Sequence, residues 1–234
     1  MALDVQKRRT WFSVLTIEFI FGLLLLFALI IFIYAIRIVF IVQNSNFDQN
    51  VFNAIAPYIN PPLTSFMTFI TFLGKHTLLI PLNFALIIFF IYKKERWFAT
   101  RIAALSLSSV LLMFTLKLFF QRARPDLPVI GDVRGYSFPS GHALISVVFY
   151  GLFIHMIWHE VKTKWLRVTL IILLSLLILL IAFSRVYLRV HYASDVIAGI
   201  AAGFIWLVVS LRLVHTIEKK FVARRALKAE GLEK

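Results

Sequence analysis

A chain of 234 residues that is 61% hydrophobic, holds 24 phenylalanines and has a mean hydropathy of +0.88 is too apolar for a water-soluble domain and belongs in a bilayer. It has no cysteine, which excludes disulfide frameworks, thiolate metal sites and cysteine nucleophiles. The net charge of +14 would suit nucleic acid, but the cations collect at the ends of apolar segments, where membrane topology and anionic headgroups account for them, so no nucleic-acid partner is expected.

The first ten residues, MALDVQKRRT, are polar and basic, and the apolar run behind them lacks a small-residue cleavage site. This reads as a retained anchor rather than a removed signal peptide. A helix needs about 20 mainly apolar residues to cross about 30 Å of hydrocarbon. Six stretches qualify, at roughly 17–42, 63–92, 97–116, 143–158, 168–183 and 196–214. The second is overlong and carries Gly74, Lys75 and His76 inside it, which predicts either a break or a partly interfacial start. The last three are slightly short unless flanking polar residues extend them. Between the first two spans, QNSNFDQNVFNAIAPYINPP (43–62) reads either as a short interfacial helix closed by Pro61 and Pro62 or as an ordinary external loop. No internal repeat and no linker divides the chain, so residues 1–234 are expected to form one all-α integral-membrane domain.

Short cytoplasmic loops carry the excess of Lys and Arg. Of the 25 such residues, 17 fall at the N-terminus, the 93–101 and 162–167 turns and the tail, and 8 on the opposite side. Both termini are therefore expected in the cytoplasm, with 215–234 a solvated or surface-lying basic tail. The minority of eight opposes the topology bias and needs another cause. Five of the eight lie in three polar segments, KLFFQRARPDLP (117–128), SFPSGHA (137–143) and SRVYLRVHYASD (184–195), all expected at the extracytoplasmic ends of spans three to six.

Lys117, then six residues, then Arg124-Pro125; Pro139-Ser140-Gly141-His142; and Ser184-Arg185, five residues, His191, three residues, Asp195 together resemble the three-part signature of the type 2 phosphatidic acid phosphatase family. These membrane lipid phosphatases share their site with vanadium haloperoxidases. The motifs cover 117–125, 139–142 and 184–195. A lone PSGH would say little; three motifs in order say much.

The residues suit that chemistry on physical grounds. Phosphoryl transfer spreads charge over the equatorial oxygens, so fixed cations must surround them; Lys117, Arg124 and Arg185 supply these. Ser140 is expected to cap the helix that starts near Gly141, placing free N–H groups and the positive dipole end at an anion, while Gly141 lets backbone approach the phosphate. His142 would stand beside the bound group, either as a histidine that merely caps the helix or, as the resemblance implies, as the general acid for the leaving oxygen. His191 is the candidate nucleophile, giving a phosphohistidine. Asp195, four residues on, would hold its tautomer if the stretch is helical. Three cations around two histidines and a carboxylate argue against a metal site, so neither metal nor cofactor is expected.

Arg122, Arg134 and Arg189 read either as headgroup contacts or as ordinary loop charges. Arg37 and Asn83 read as packing or interface residues, and His155, His159 and His215 lie away from the site.

The expected substrate is a lipid phosphate that keeps its tails in the bilayer, with no obligatory protein partner. The compact length resembles the bacterial members that convert phosphatidylglycerophosphate to phosphatidylglycerol, with undecaprenyl diphosphate the alternative. A phosphotransferase or a non-catalytic lipid-phosphate binder or transporter remains open. The absence of cysteine and of glycosylation sequons fits a bacterial plasma membrane.

Overall fold

The computed structural model describes the backbone of residues 2–131 and 133–229, and side chains from 19–131, 133–224 and 227. Residues 230–234 of the basic tail, and the side chains of Lys7, Arg8, Arg9, Arg225 and Lys228, lie outside the described residues. The fold is all-α, with no strand among the described residues. Six helical stretches are long and apolar enough to cross a membrane. Exposed side chains such as Phe27, Ile30, Phe84, Leu107 and Ile172 face outward because hydrocarbon, unlike water, exerts no pressure to bury them.

Helix α1 runs Ala2–Ile36 and passes into a wider π-turn stretch, Arg37–Ile41. Helix α2, Asn46–Ile55, fills the connection between the first two spans. Pro61 and Pro62 do not close it. They open the next helix, α3 (Pro61–Leu73), at its first two positions, behind Asn60, whose Oδ1 accepts from the Leu63 N–H at 3.0 Å. Proline suits that place because the first-turn N–H groups have no intrahelical acceptor.

The second span is broken. Helix α3 stops at Gly74–Lys75, and α4 (His76–Tyr92) continues the crossing. Helix α5 (Arg96–Phe120), α6 (Gly141–Glu160) and α7 (Lys164–Tyr187) are longer than their apolar cores, because flanking polar residues join the helix. Ser184 and Arg185 consequently lie within the last turn of α7. Helix α8 runs Ala193–Ala229 as one element, so the described part of the basic tail is helical. It packs back on α5 through Arg101 and Glu218 (2.5 Å) and through Trp97 and Phe221 (5.6 Å). Asn83 accepts from Ser106 Oγ at 2.5 Å and so joins α4 to α5.

Helix α6 is the hub, packed against α5, α7 and α8. Its contact with α8 is close because Gly199 and Gly203 present no side chain there. A Cβ on Gly199 would lie 2.6 Å from the Ser140 carbonyl oxygen, and one on Gly203 would lie 2.7 Å from that of Leu144. Small residues one turn apart let helix backbones meet, the usual device where lipid supplies no hydrophobic drive. The chain ahead of α6 is pinned by Phe138, fully buried among Phe120 (4.9 Å), Phe40 (5.2 Å) and Phe32 (6.3 Å).

Candidate active site

The ends of α5 and α7 and the starts of α6 and α8 converge on one polar centre. Helix α5 places Lys117 in its last turn and terminates at Gln121, which adopts the left-handed conformation (φ 45°) and donates to the Lys117 carbonyl at 3.0 Å. Helix α7 ends in a Schellman motif. Arg189 takes φ 52° and donates to Val186 O at 3.0 Å, and Val190 donates to Arg185 O at 3.2 Å. The reversal carries His191 back toward the axis of the bundle, where its own N–H reaches Arg185 O at 3.3 Å.

His191 is buried, and its two ring nitrogens face different groups. Nε2 lies 3.3 Å from Arg124 Nη1, whereas Nδ1 lies 3.3 Å from Ser137 Oγ and 3.6 Å from Asp195 Oδ2. A guanidinium only donates. Nε2 therefore offers its lone pair, and the ring proton sits on Nδ1, toward the carboxylate. Burial, reinforced by Arg185 and Arg124 and opposed by Asp195, pushes the imidazole pKa down to about 3, so the ring is neutral at ordinary pH.

Asp195 is fully buried and saturated with donors. Ser137 Oγ and the Tyr192 N–H (3.0 Å) donate to Oδ2, and Arg122 Nη1 donates to Oδ1 at 2.5 Å. The bond to Tyr192 shows that Asp195 closes the first turn of α8. Helix begins only at Ala193, so the stretch from His191 to Asp195 is not one helix and a shared helical face does not bring the two together. The pair meets because the Schellman reversal delivers His191 to the start of α8.

Three cations gather at this centre, with Arg124 against Nε2. Arg124 is fixed by Val190 O (2.6 Å) and Gly135 O (2.9 Å), Lys117 by Tyr136 O (2.5 Å), and Arg185 by Thr71 Oγ1 on α3 (2.6 Å). Lys117 lies within electrostatic reach of Arg124 and Arg185, and His142 within reach of Arg185, His191 and Arg124. Two buried groups here have no hydrogen-bond partner, Ser140 Oγ and Arg185 Nε. An open cavity of about 190 Å³, lined by Arg124, Pro125, Asp126 and Arg189, adjoins the centre.

One local expectation needs correction. Ser140 occupies the N-cap position, but its hydroxyl makes no capping bond. Its backbone is spent on Asp195 O (2.9 Å) and Leu144 N (3.0 Å), leaving Oγ unpartnered. The space beside Gly141 is filled by Met113, whose Sδ would lie 2.5 Å from a Cβ. Met113 of α5 packs closely over that glycine, whose first-turn N–H has no intrahelical acceptor.

Sequence reasoning missed Asp48, Thr71, Ser137 and Ser194. It also left Arg122 between headgroup contact and solvation, and the structure assigns it neither: it pairs with Asp195 and Asp48 and lies over the Tyr192 ring at 4.0 Å. Arg189 lies over Phe52 at 5.6 Å, and Arg134 is exposed. Asp48 could have been suspected as the single acid in the first turn of an amphipathic helix, but nothing local pointed to its partner.

A family model described as the PAP2 superfamily matches residues 98–219, more than half of the chain and all three motifs. The chain is 27% identical over 159 residues to phosphatidylglycerophosphatase B of Bacillus subtilis, covering 68% of this chain and 78% of that protein. It is 29% identical over 192 residues to an undecaprenyl-diphosphatase of Sulfolobus acidocaldarius, covering 80% and 87%. Among solved structures, a transmembrane PAP2-type phosphatidylglycerolphosphate phosphatase from Bacillus subtilis superposes with a TM-score of 0.70 at 28% identity, over 86% of this chain and 96% of that one. The resemblance read from the three motifs is thus borne out, and the chain is a multi-pass membrane phosphatase that belongs to the PAP2 superfamily.

Proposed function

We propose that this protein removes the terminal phosphate of phosphatidylglycerophosphate, through a covalent phosphohistidine at His191 and without a metal ion. The observation that carries the reading is the pair of contacts on one ring: a lone pair at Nε2 facing Arg124, and a proton at Nδ1 facing Asp195. In the first step the Nε2 lone pair forms a bond to phosphorus as the bond from phosphorus to the lipid oxygen breaks. His142 gives that oxygen its proton. In the second, water attacks the phosphorus and yields a proton to His142, and the N–P bond breaks to release inorganic phosphate. Lys117, Arg124, Arg185, the Ser140 hydroxyl and the Gly141 N–H hold the equatorial oxygens, where charge accumulates. The same cations repel a divalent ion, so activity is expected to persist in chelator. We read residues 1–234 as one domain, and a site at the extracytoplasmic end with both termini cytoplasmic fits the distribution of Lys and Arg.

Undecaprenyl diphosphate is the second reading, favoured by the coverage of the Sulfolobus relative. Its terminal phosphate meets the same groups. The test is phosphate release by detergent-purified protein in EDTA, from both lipids side by side, with His191→Ala as control. Release that the variant loses supports the metal-free phosphohistidine route and ranks the substrates. Dependence on added Mg²⁺, or full activity in His191→Ala, would sink it; label passed to a second lipid rather than to water would make the protein a phosphotransferase.

A further inference from the structure

Asp48 stands on α2, the surface helix between the first two spans, yet it is only 2% exposed. A carboxylate withdrawn that far from water needs a cation and donors to compensate its lost hydration. Arg122 Nη2 donates to Oδ2 at 2.8 Å, the Ser194 N–H to Oδ1 at 2.8 Å, and Ser194 Oγ to Oδ2 at 2.7 Å. The other arm of the same guanidinium, Nη1, holds Asp195 Oδ1 at 2.5 Å and Ser194 Oγ at 2.8 Å. Arg122 thus bridges two buried carboxylates, one on the surface helix and one beside His191.

We infer that Asp48 is a positioning residue for phosphoryl transfer, acting through Arg122 on Asp195; this rests on the reading that His191 and Asp195 carry the chemistry. Two effects run through the bridge. Asp48 anchors one arm of the fork, so the other meets Asp195 at Oδ1 and leaves Oδ2 to Ser137, Tyr192 and the His191 ring. Asp48 also shares the single positive charge of Arg122. Asp195 then keeps more of its negative charge for the imidazole, which becomes cationic when Nε2 is phosphorylated while Nδ1 holds its proton. Without Asp48 the guanidinium neutralises Asp195 alone, and that stabilisation weakens in a site where low polarisability magnifies charge. The phosphate-binding cations Lys117, Arg124 and Arg185 have no contact with Asp48 among the described hydrogen bonds and ion pairs, so ground-state binding is left intact.

Asp48→Asn keeps the shape and removes the charge. It is expected to lower kcat by on the order of 10- to 100-fold, the scale of a small misplacement of a catalytic group, with KM held within about 3-fold. Asp48→Glu, which restores the charge one methylene further out, is expected to give an intermediate kcat. In an Arg122→Gln background, Asp48→Asn is expected to cost nothing more, since residues acting through one another are non-additive. A wild-type kcat in Asp48→Asn would overturn the inference, as would equal losses in both Arg122 backgrounds or a loss confined to KM. Should Asp48→Asn not fold, a wild-type kcat in Asp48→Glu overturns it equally. His191→Ala, assayed in parallel, separates the two levels. If it stays active, the reading of the site fails; if it is dead while Asp48→Asn is wild-type, only the positioning role fails.

Discussion

Arg124 Nη1 stands 3.3 Å from His191 Nε2, so the nitrogen we propose as the nucleophile faces the cation we propose to hold the phosphate. That contact orders the ring, because it leaves the Nδ1 proton directed at Asp195. Asp195→Asn removes the negative charge and turns one of the two acceptor oxygens into a donor while preserving shape. We expect kcat to fall toward the ~10⁴-fold scale observed when a carboxylate that orients a catalytic histidine becomes an amide, with little change in KM. Steady-state phosphate release checks it, and a loss below tenfold would deny Asp195 this role.

The buried neutral His191 also shapes stability. Its folded pKa is lowered to about 3 from 6.5 by burial first, with Arg185 and Arg124 adding and Asp195 opposing. Between those values the unfolded chain binds the proton and the folded one does not. Stability therefore rises with pH there and falls as pH drops from 6.5 toward 3, by at most about 1.4 kcal/mol per pH unit. Thermal unfolding in detergent at about pH 7 and about pH 5 should show a larger fall for the wild type than for His191→Asn. Equal falls would contradict the neutral, buried ring.

Gly199 and Gly203 lie one turn apart on α8, against the backbone of α6. Gly199→Ala would drive a methyl into the Ser140 carbonyl, the residue that leads into Gly141 and His142, whereas Gly203→Ala would strike Leu144 deeper in the bundle. Each is expected to cost about 1–3 kcal/mol of stability as overpacking. The loss of kcat should be greater for Gly199→Ala, because only there does the displaced backbone belong to the site. Paired melting and activity measurements would show this; equal kcat losses would count against it.

Arg185 is 4% exposed, and Thr71 Oγ1 receives its Nη1 at 2.6 Å. Thr71→Val keeps volume but removes the acceptor. Loss of a hydrogen bond to a buried charged group costs about 1.5–3 kcal/mol, so kcat/KM should fall by roughly tenfold or more, chiefly through KM. An unchanged KM would mean that Arg185 is positioned by its own helix alone.

The six crossings were legible in the sequence because hydropathy is a local, additive property, and helix length follows from the thickness of hydrocarbon. The chemistry-bearing side chains were legible for a related reason. Lys117, Arg124, His142, Arg185, His191 and Asp195 recur in three short polar segments at fixed spacing, a pattern that is local in sequence and that we read as the proposed site. Smaller local details were misjudged where backbone geometry decides them. Ser140 does not cap with its hydroxyl, and Pro61 and Pro62 open a helix rather than close one.

What only the tertiary structure decided is which distant groups complete the site. Asp48 meets Arg122 across 74 residues, Ser137 meets Asp195 across 58, and Thr71 meets Arg185 across 114. No local pattern encodes such pairs, because a lone aspartate, serine or threonine near a helix end is ordinary on its own. They acquire these partners only when helix packing removes them from water, and a buried charge must then be matched by whatever the fold has placed beside it.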